Sequence, residues 1–200
     1  MAKLVPHDEA LMAELWVRFK AGDEQAFDLL TERRYRTLFN YATRFSKDRE
    51  FIKDCIQDLF LELWNRRQSI VTTPYVTIYL IKSLRNNLLR KQKQLRQWEF
   101  SQDEWDGEWS DGWTVEEEWI SSEFTHESQA SLRQAIQALP RRQQEVIFLK
   151  FYEGLSNEAI AQVMEVENQT VANFLYRALS QLRNTMPALV RVLAFFLFFP

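Results

Sequence analysis

Glycine and proline are scarce in this 200-residue chain, at four and five residues, and there is a single cysteine, Cys55. So few turn formers exclude a protein built of hairpins and, beside many Leu, Ala, Gln, Glu and Arg, predict long helices. A lone cysteine cannot close an internal disulfide, and no Cys/His spacing suits a metal. Glycine-rich phosphate loops and zincin helices are also missing. The two histidines, His7 and His126, are expected in a tail and a connector, away from any nucleophile. Catalysis therefore finds no constellation to rest on, and no cofactor or small-molecule substrate is expected. The apolar run from Val192 to Phe199 is far short of the roughly 20 residues a membrane span needs. The start "MAKLVPHDEALMAELW" lacks the basic-then-apolar pattern of a secretory signal, so a cytoplasmic chain is expected.

Basic residues are absent from one long stretch, and this divides the chain. Residues 1–97 hold 18 Lys/Arg against 12 Asp/Glu, residues 98–131 none against 11, and residues 132–200 seven against five. Two basic lobes flank an acidic connector, "WEFSQDEWDGEWSDGWTVEEEW", which carries five tryptophans in its 22 residues. Apart from those rings its apolarity is low, and a mostly unstructured segment is expected.

Helical periodicity runs from Leu11 to about Arg67, broken near "AGDEQ", where Gly22 suits a helix end and Asp23 the next cap. In "FIKDCIQDLFLELWNRR", Ile52, Ile56, Leu59 and Leu63 form a stripe that predicts packing on neighbouring helices. Asp54, Gln57, Asp58 and Leu61 share another side, with Trp64 at its edge. Asp54 and Asp58 lie one turn apart, but two carboxylates without further ligands suit a basic partner or water better than a metal. After the loop "QSIVTTP", the run "YVTIYLIKSLRNNLLRKQKQLRQ" predicts another helix. From Leu63 to Gln97 there are eight Lys/Arg and no acid. Cations mixed with Tyr75, Tyr79, Asn86 and Asn87 suit unpaired bases, which stack on rings and offer hydrogen-bonding edges; a merely solvated face is the plainer alternative.

Structure is expected to resume at Ser131, with Pro140 at a helix start and Gly154 at a helix end. "NEAIAQVM", capped by Ser156, is followed by the turn "EVEN" and a second helix from Gln169, which is helix-turn-helix spacing. Ile160, Ala161, Met164, Val166, Val171 and Leu175 are placed to bury the pair. Gln169, Thr170, Asn173 and Arg177 are left outside, where they suit base edges or phosphates. Spacing alone leaves open a plain helical bundle whose outer face is only solvated.

Two blocks resemble one family. "DCIQDLFLELWNRR" with "YLIKSLRNNLLRKQKQ", and "LPRRQQEVIFLKFYEGLSNEAIAQVM" with "QTVANFLYRALSQLR", are similar to the second and fourth regions of extracytoplasmic-function RNA polymerase sigma factors, most closely the kind abundant in Bacteroidetes. The resemblance covers about residues 11–97 and 131–185. It implies an all-α protein of two helical domains joined by an acidic flexible linker: residues 10–97 to bind core polymerase and melt the -10 element, 98–130 as linker, 131–186 to read the -35 element, and an apolar tail, 187–200.

By the same resemblance, Asp54, Gln57, Asp58, Phe60 and Trp64 stand where the family contacts the β′ coiled coil, with Phe60 and Trp64 as anchors or as core. Tyr75, Tyr79, Lys82, Arg85, Asn86, Arg90 and Lys91 fall in the -10 reader, and the loop from Gln68 to Tyr75 where a flipped base is held. Gln169, Thr170, Asn173 and Arg177 fall in the -35 reader. Implied partners are core RNA polymerase, through its β′ coiled coil and β flap, promoter DNA, and a membrane-bound anti-sigma protein. Departures are Glu165, where the family often has Gly, and Ala172, at or near which it carries Lys or Arg. The linker could stand in for RNA in the polymerase channel, mask the basic helix, or serve as a spacer; the tail could pack on the last helices or dock a regulator. A helix-turn-helix regulator acting without polymerase and a protein-binding helical adaptor are the alternative functions.

Overall fold

In the computed structural model of the chain, which describes residues 6–98 and 126–185, helix α1 (Pro6–Lys20) gives way to α2 (Glu24–Ala42) at the expected place. Gly22 takes φ +96°, a left-handed turn that costs a residue without Cβ little. Asp23 Oδ1 then accepts the Ala26 N–H at 3.0 Å, and the Arg18 guanidinium lies 2.8 Å from the same carboxylate. The cap hydrogen bond to Ala26, followed by that to Arg18, holds the Asp23 carboxyl below its usual range. Helix α3 (Arg49–Arg66) starts in the same manner: Asp48 accepts from the N–H groups of Glu50 and Phe51 at 3.0 and 3.1 Å. Side-chain caps of this kind satisfy amides that have no partner inside the helix.

Helix α4 (Val76–Trp98) completes the first of two compact units. In it α2 packs against α1, α3 and α4, and α4 packs also against α1 and α3. The core is the sum of the four apolar stripes. Ile52, Ile56, Leu59 and Leu63 of α3 are all buried, as their spacing predicts, and meet Trp16 and Phe19 of α1, Leu30 and Leu38 of α2, and Leu80 and Leu84 of α4 in the same interior.

The second unit carries α5 (His126–Gln137), α6 (Arg141–Ile147), a single π turn (Phe148–Tyr152), the greater part of α7 (Asn157–Met164), and α8 (Asn168–Thr185). Helix α5 begins ahead of the expected Ser131, and α8 one residue ahead of Gln169. Pro140, with φ −56°, leads into α6. There Gln144 Nε2 donates to the carbonyls of Gln137 and Leu139, at 3.1 and 2.7 Å, which ties the two helices at their joint. Gly154 reverses the chain at φ +66°. Helix α8 packs on α5 and α6, and Ile136, Leu139, Val146, Phe148, Leu175 and Leu182 are among its unit's buried side chains. Among the described residues every regular element is helical, and no helix is long and apolar enough to cross a membrane. Most of the acidic connector and the apolar tail fall outside the described residues, and so do the expectations placed on them.

Candidate protein-docking and nucleic-acid surfaces

On α3 the stripe that faces the core leaves Asp54, Gln57, Asp58 and Leu61 exposed. Phe60 and Trp64 are half-buried and serve two environments. Phe60 meets the Phe27 ring edge-on at 6.3 Å, and Trp64 lies 5.1 Å from Phe27 with the Arg67 guanidinium 4.4 Å above its ring. Their other sides line an open groove of about 620 Å³ between α2 and α3, with Phe27, Tyr35, Ile56 and Leu61. The sequence left anchor and core as alternatives for these two rings; in the structure each is packed on Phe27 and also borders the groove. Half-buried aromatics rimmed by charge are the usual makings of a docking surface.

The neighbouring face of α4 is cationic and contains a polar notch. Tyr75, just ahead of the helix, is 61% exposed, while Tyr79 is half-buried, edge-on to Trp16 at 5.1 Å. Lys82 and Lys91 are half-buried and Asn86 and Arg90 exposed. Arg85 is only 3% exposed; it belongs to the interior, not to the outer face on which the run of cations placed it. Arg90 donates to Asn87 Oδ1 at 2.8 Å, and the buried Asn87 amide reaches back to the Cys55 carbonyl at 3.4 Å. Lys91 Nζ lies 2.5 Å from Asp58 Oδ2, so the cationic and acidic faces meet at an ion pair. Between α3 and α4 a cavity of about 290 Å³ is lined by Arg66, Ile70, Tyr79, Ser83, Asn86 and Arg90. Sequence reasoning missed Arg66 and Ser83 as members of this site. Tyr79, Ser83, Asn86 and Arg90 repeat at i, i+4, i+7 and i+11, a polar stripe that could have revealed it.

In the second unit, Ser156 Oγ accepts the Ala159 N–H at 3.2 Å and starts α7. The turn depends on Glu165, which sits at φ 56°, ψ 48°. Its N–H and that of Val166 both donate to the Ala161 carbonyl, the pattern that usually recruits glycine. Across the turn, Asn168 Nδ2 contacts Glu158 Oε1 at 3.4 Å. Hydrogen bonds to the Glu158 carboxylate from its own backbone N–H and from Ser156 hold its pKa below the usual value. Gln169, Asn173 and Arg177 are exposed on α8 and Thr170 is half-buried; Gln169 Nε2 lies 3.4 Å from Asn173 Oδ1. Tyr176, absent from the sequence-based set, is 75% exposed beside them. Its spacing of seven from Gln169 was the available signal.

The Sigma-70, region 4 family matches residues 129–182, the segment containing this helix pair. Over 185 residues the chain is 26% identical to the RNA polymerase sigma-H factor of Pseudomonas aeruginosa, covering 89% of this chain and 95% of that one. It is 29% identical to the ECF RNA polymerase sigma factor BldN of Streptomyces coelicolor, over 90% of this chain and 67% of that protein. RNA polymerase sigma factor SigV of Bacillus subtilis is 27% identical over 74% of this chain and 81% of its own length. Two solved structures share the fold. They are CnrH in complex with the cytosolic domain of CnrY (TM-score 0.60, 18% identity, 89% of this chain and 98% of that one) and the Bartonella quintana sigma factor RpoE in complex with the anti-sigma factor NepR (0.57, 19%, 81% and 97%). Residues 129–182 thus match sigma-70 region 4, and over most of its length the chain is similar to RNA polymerase sigma factors, BldN of the extracytoplasmic-function type among them.

Proposed function

We propose that the chain is a transcription initiation factor that binds core RNA polymerase in the cytoplasm and directs it to promoters. The observation that carries this reading is the juxtaposition in one unit of an exposed acid-and-amide face on α3 and the cationic, notched face of α4. Asp54, Gln57 and Asp58 suit a basic coiled coil such as that of β′, with Phe60 and Trp64 as the apolar anchors. Lys82, Arg90 and Lys91 suit the phosphates of an opened strand, and Tyr75, Tyr79 and Asn86 its unstacked bases. Arg85, being buried, is left out of that surface.

On α8, Gln169, Thr170, Asn173 and Arg177 would read the duplex -35 element from the major groove. The second unit would also meet the β flap. Opening the -10 element would need no ATP, because phosphate contacts and base capture offset the few kcal/mol lost on unstacking each base. Bond making would belong to the polymerase, so the chain itself is no enzyme. CnrH was solved with the cytosolic domain of CnrY and RpoE with the anti-sigma factor NepR, and an inhibitor protein, membrane-bound or soluble, is proposed here on that likeness.

Reconstitution with core polymerase is the test. Promoter-specific transcripts that depend on the chain are expected. Duplex DNA bound by the chain alone, with no association with core enzyme, would point instead to a regulator that works without polymerase.

A further inference from the structure

The loop that joins α3 to α4 is held by α1, a helix that lies outside the docking and nucleic-acid surfaces described above. A buried indole N–H needs an acceptor. Trp16 of α1 is fully buried, and its Nε1 donates to the Val71 carbonyl at 3.1 Å. One turn further along α1, Lys20 Nζ donates to Thr72 Oγ1 at 2.8 Å. Tyr79, in the first turn of α4, rests edge-on against the same indole at 5.1 Å. Within the loop, Ile70 is turned inward and Thr73 Oγ1 accepts the Tyr75 N–H at 3.0 Å.

These contacts fix the backbone from Ile70 to Tyr75 yet leave Val71 71% and Tyr75 61% exposed. A tethered backbone that presents large apolar groups to solvent is preorganised for a ligand with an apolar face, because the ordering cost has been met before the ligand arrives. The polar notch lined by Ser83, Asn86 and Arg90 begins beside the same loop, at Ile70 and Tyr79. An unstacked base has both parts this arrangement asks for, a flat apolar face and a hydrogen-bonding edge.

We propose that Trp16 and Lys20 are positioning residues for promoter opening: from α1 they hold the loop in the shape that presents Val71 and Tyr75 to an extruded base, and so set which base is accepted. This rests on the function proposed above. Neither residue touches DNA in this arrangement; each acts through the backbone or side chain it grips. The alternative is that both only support the fold.

Trp16→Phe keeps a buried ring but removes the donor, and Lys20→Met keeps the stem of a surface side chain but removes its charge. Each variant and the wild type would be assembled with core polymerase and offered fork DNA with a randomised single-stranded segment, and the bound fraction sequenced. Both variants are expected to bind this DNA about threefold to tenfold more weakly, the scale of one lost hydrogen bond. Base preference should flatten at the position facing the loop, with affinity for core polymerase held within about twofold. Unchanged affinity and preference in both variants would overturn the proposal, as would loss of core binding in step with DNA binding. A wild-type chain that selects no DNA rejects the underlying function; a selective wild type with equally selective variants rejects only the bracing role.

Discussion

Lys91 Nζ and Asp58 Oδ2, 2.5 Å apart, join the cationic helix α4 to the acidic face of α3. The Asp58 side chain remains 52% exposed and that of Lys91 26%, so the pair lies at the surface with its carboxylate open to water. Burial alone would lower the Lys91 pKa, but the hydrogen bond to Asp58 and the acids nearby outweigh it and raise it. The ammonium thus stays charged throughout the neutral range.

An ion pair this exposed contributes only about 0–1 kcal/mol to folding. Asp58→Arg is therefore expected to leave the urea midpoint nearly unchanged while abolishing recovery of core polymerase in a pull-down, because a cation would then face the proposed basic partner. Recovery equal to wild type would remove α3 as the docking face.

Glu165 is the only non-glycine residue with positive φ among the described residues. The left-handed conformation strains any side chain with a Cβ, while glycine adopts it freely and loses some of the gain to a more flexible unfolded chain. Glu165→Gly should stabilise the second unit by about 0.5–1 kcal/mol, read from its denaturant midpoint. It also removes a negative charge from the turn, so duplex affinity should rise most at low salt. A lower midpoint would show that the Glu165 side chain contributes more than its backbone costs.

Local chemistry was legible in the sequence, and distant pairing was not. The turn at Gly22, the Asp23 and Ser156 caps and the Ile52–Leu63 stripe all follow from periodicity and from the needs of neighbouring backbone amides. The start of α5 was missed because "HESQA" opens it without an apolar repeat to announce it. Arg85 was read as a surface cation because it sits in a run of cations, yet its burial depends on what α4 meets in three dimensions. The Asp58–Lys91 pair and the Trp16–Val71 hydrogen bond join different helices or loops, and no spacing rule relates residues so far apart in the chain. Phe60 and Trp64 were legible as aromatics at the edge of a face, but only packing could show that each divides its ring between core and groove.

Cys55 gives a pH dependence of defined sign. The thiol is completely buried, and burial, reinforced by Asp58 and Asp54 against the opposing charge of Lys91, pushes its pKa from the ordinary 9.0 up to about 11. The folded state therefore keeps a proton that the unfolded state releases above pH 9, and the stability this supplies is present below that pH and lost as pH rises toward 11. Lys91, whose pKa is also raised, contributes in the same direction at still higher pH. Urea titrations from pH 8 to 11 should show falling stability, with a shallower slope in Cys55→Ala. The native thiol should also react slowly with a disulfide reagent at pH 8, and rapid labelling of folded protein would contradict its burial.

The exposed face of α8 separates base reading from phosphate contact. Gln169, Asn173, Tyr176 and Arg177 are all exposed along it, and an amide that pairs with a base edge confers sequence preference, whereas a cation on a phosphate does not. If Asn173 reads a base, Asn173→Ala should cost about 1–3 kcal/mol and relax the preference at one promoter position. If Arg177 meets only phosphate, Arg177→Ala should weaken all sequences alike and reduce the salt slope by about one. Tyr176→Ala should weaken binding with little change in that slope, since a ring carries no charge to a phosphate. Binding of holoenzyme to a -35 library at several salt concentrations measures all three. Equal, sequence-independent losses in every variant would mean that α8 orients the DNA without reading it.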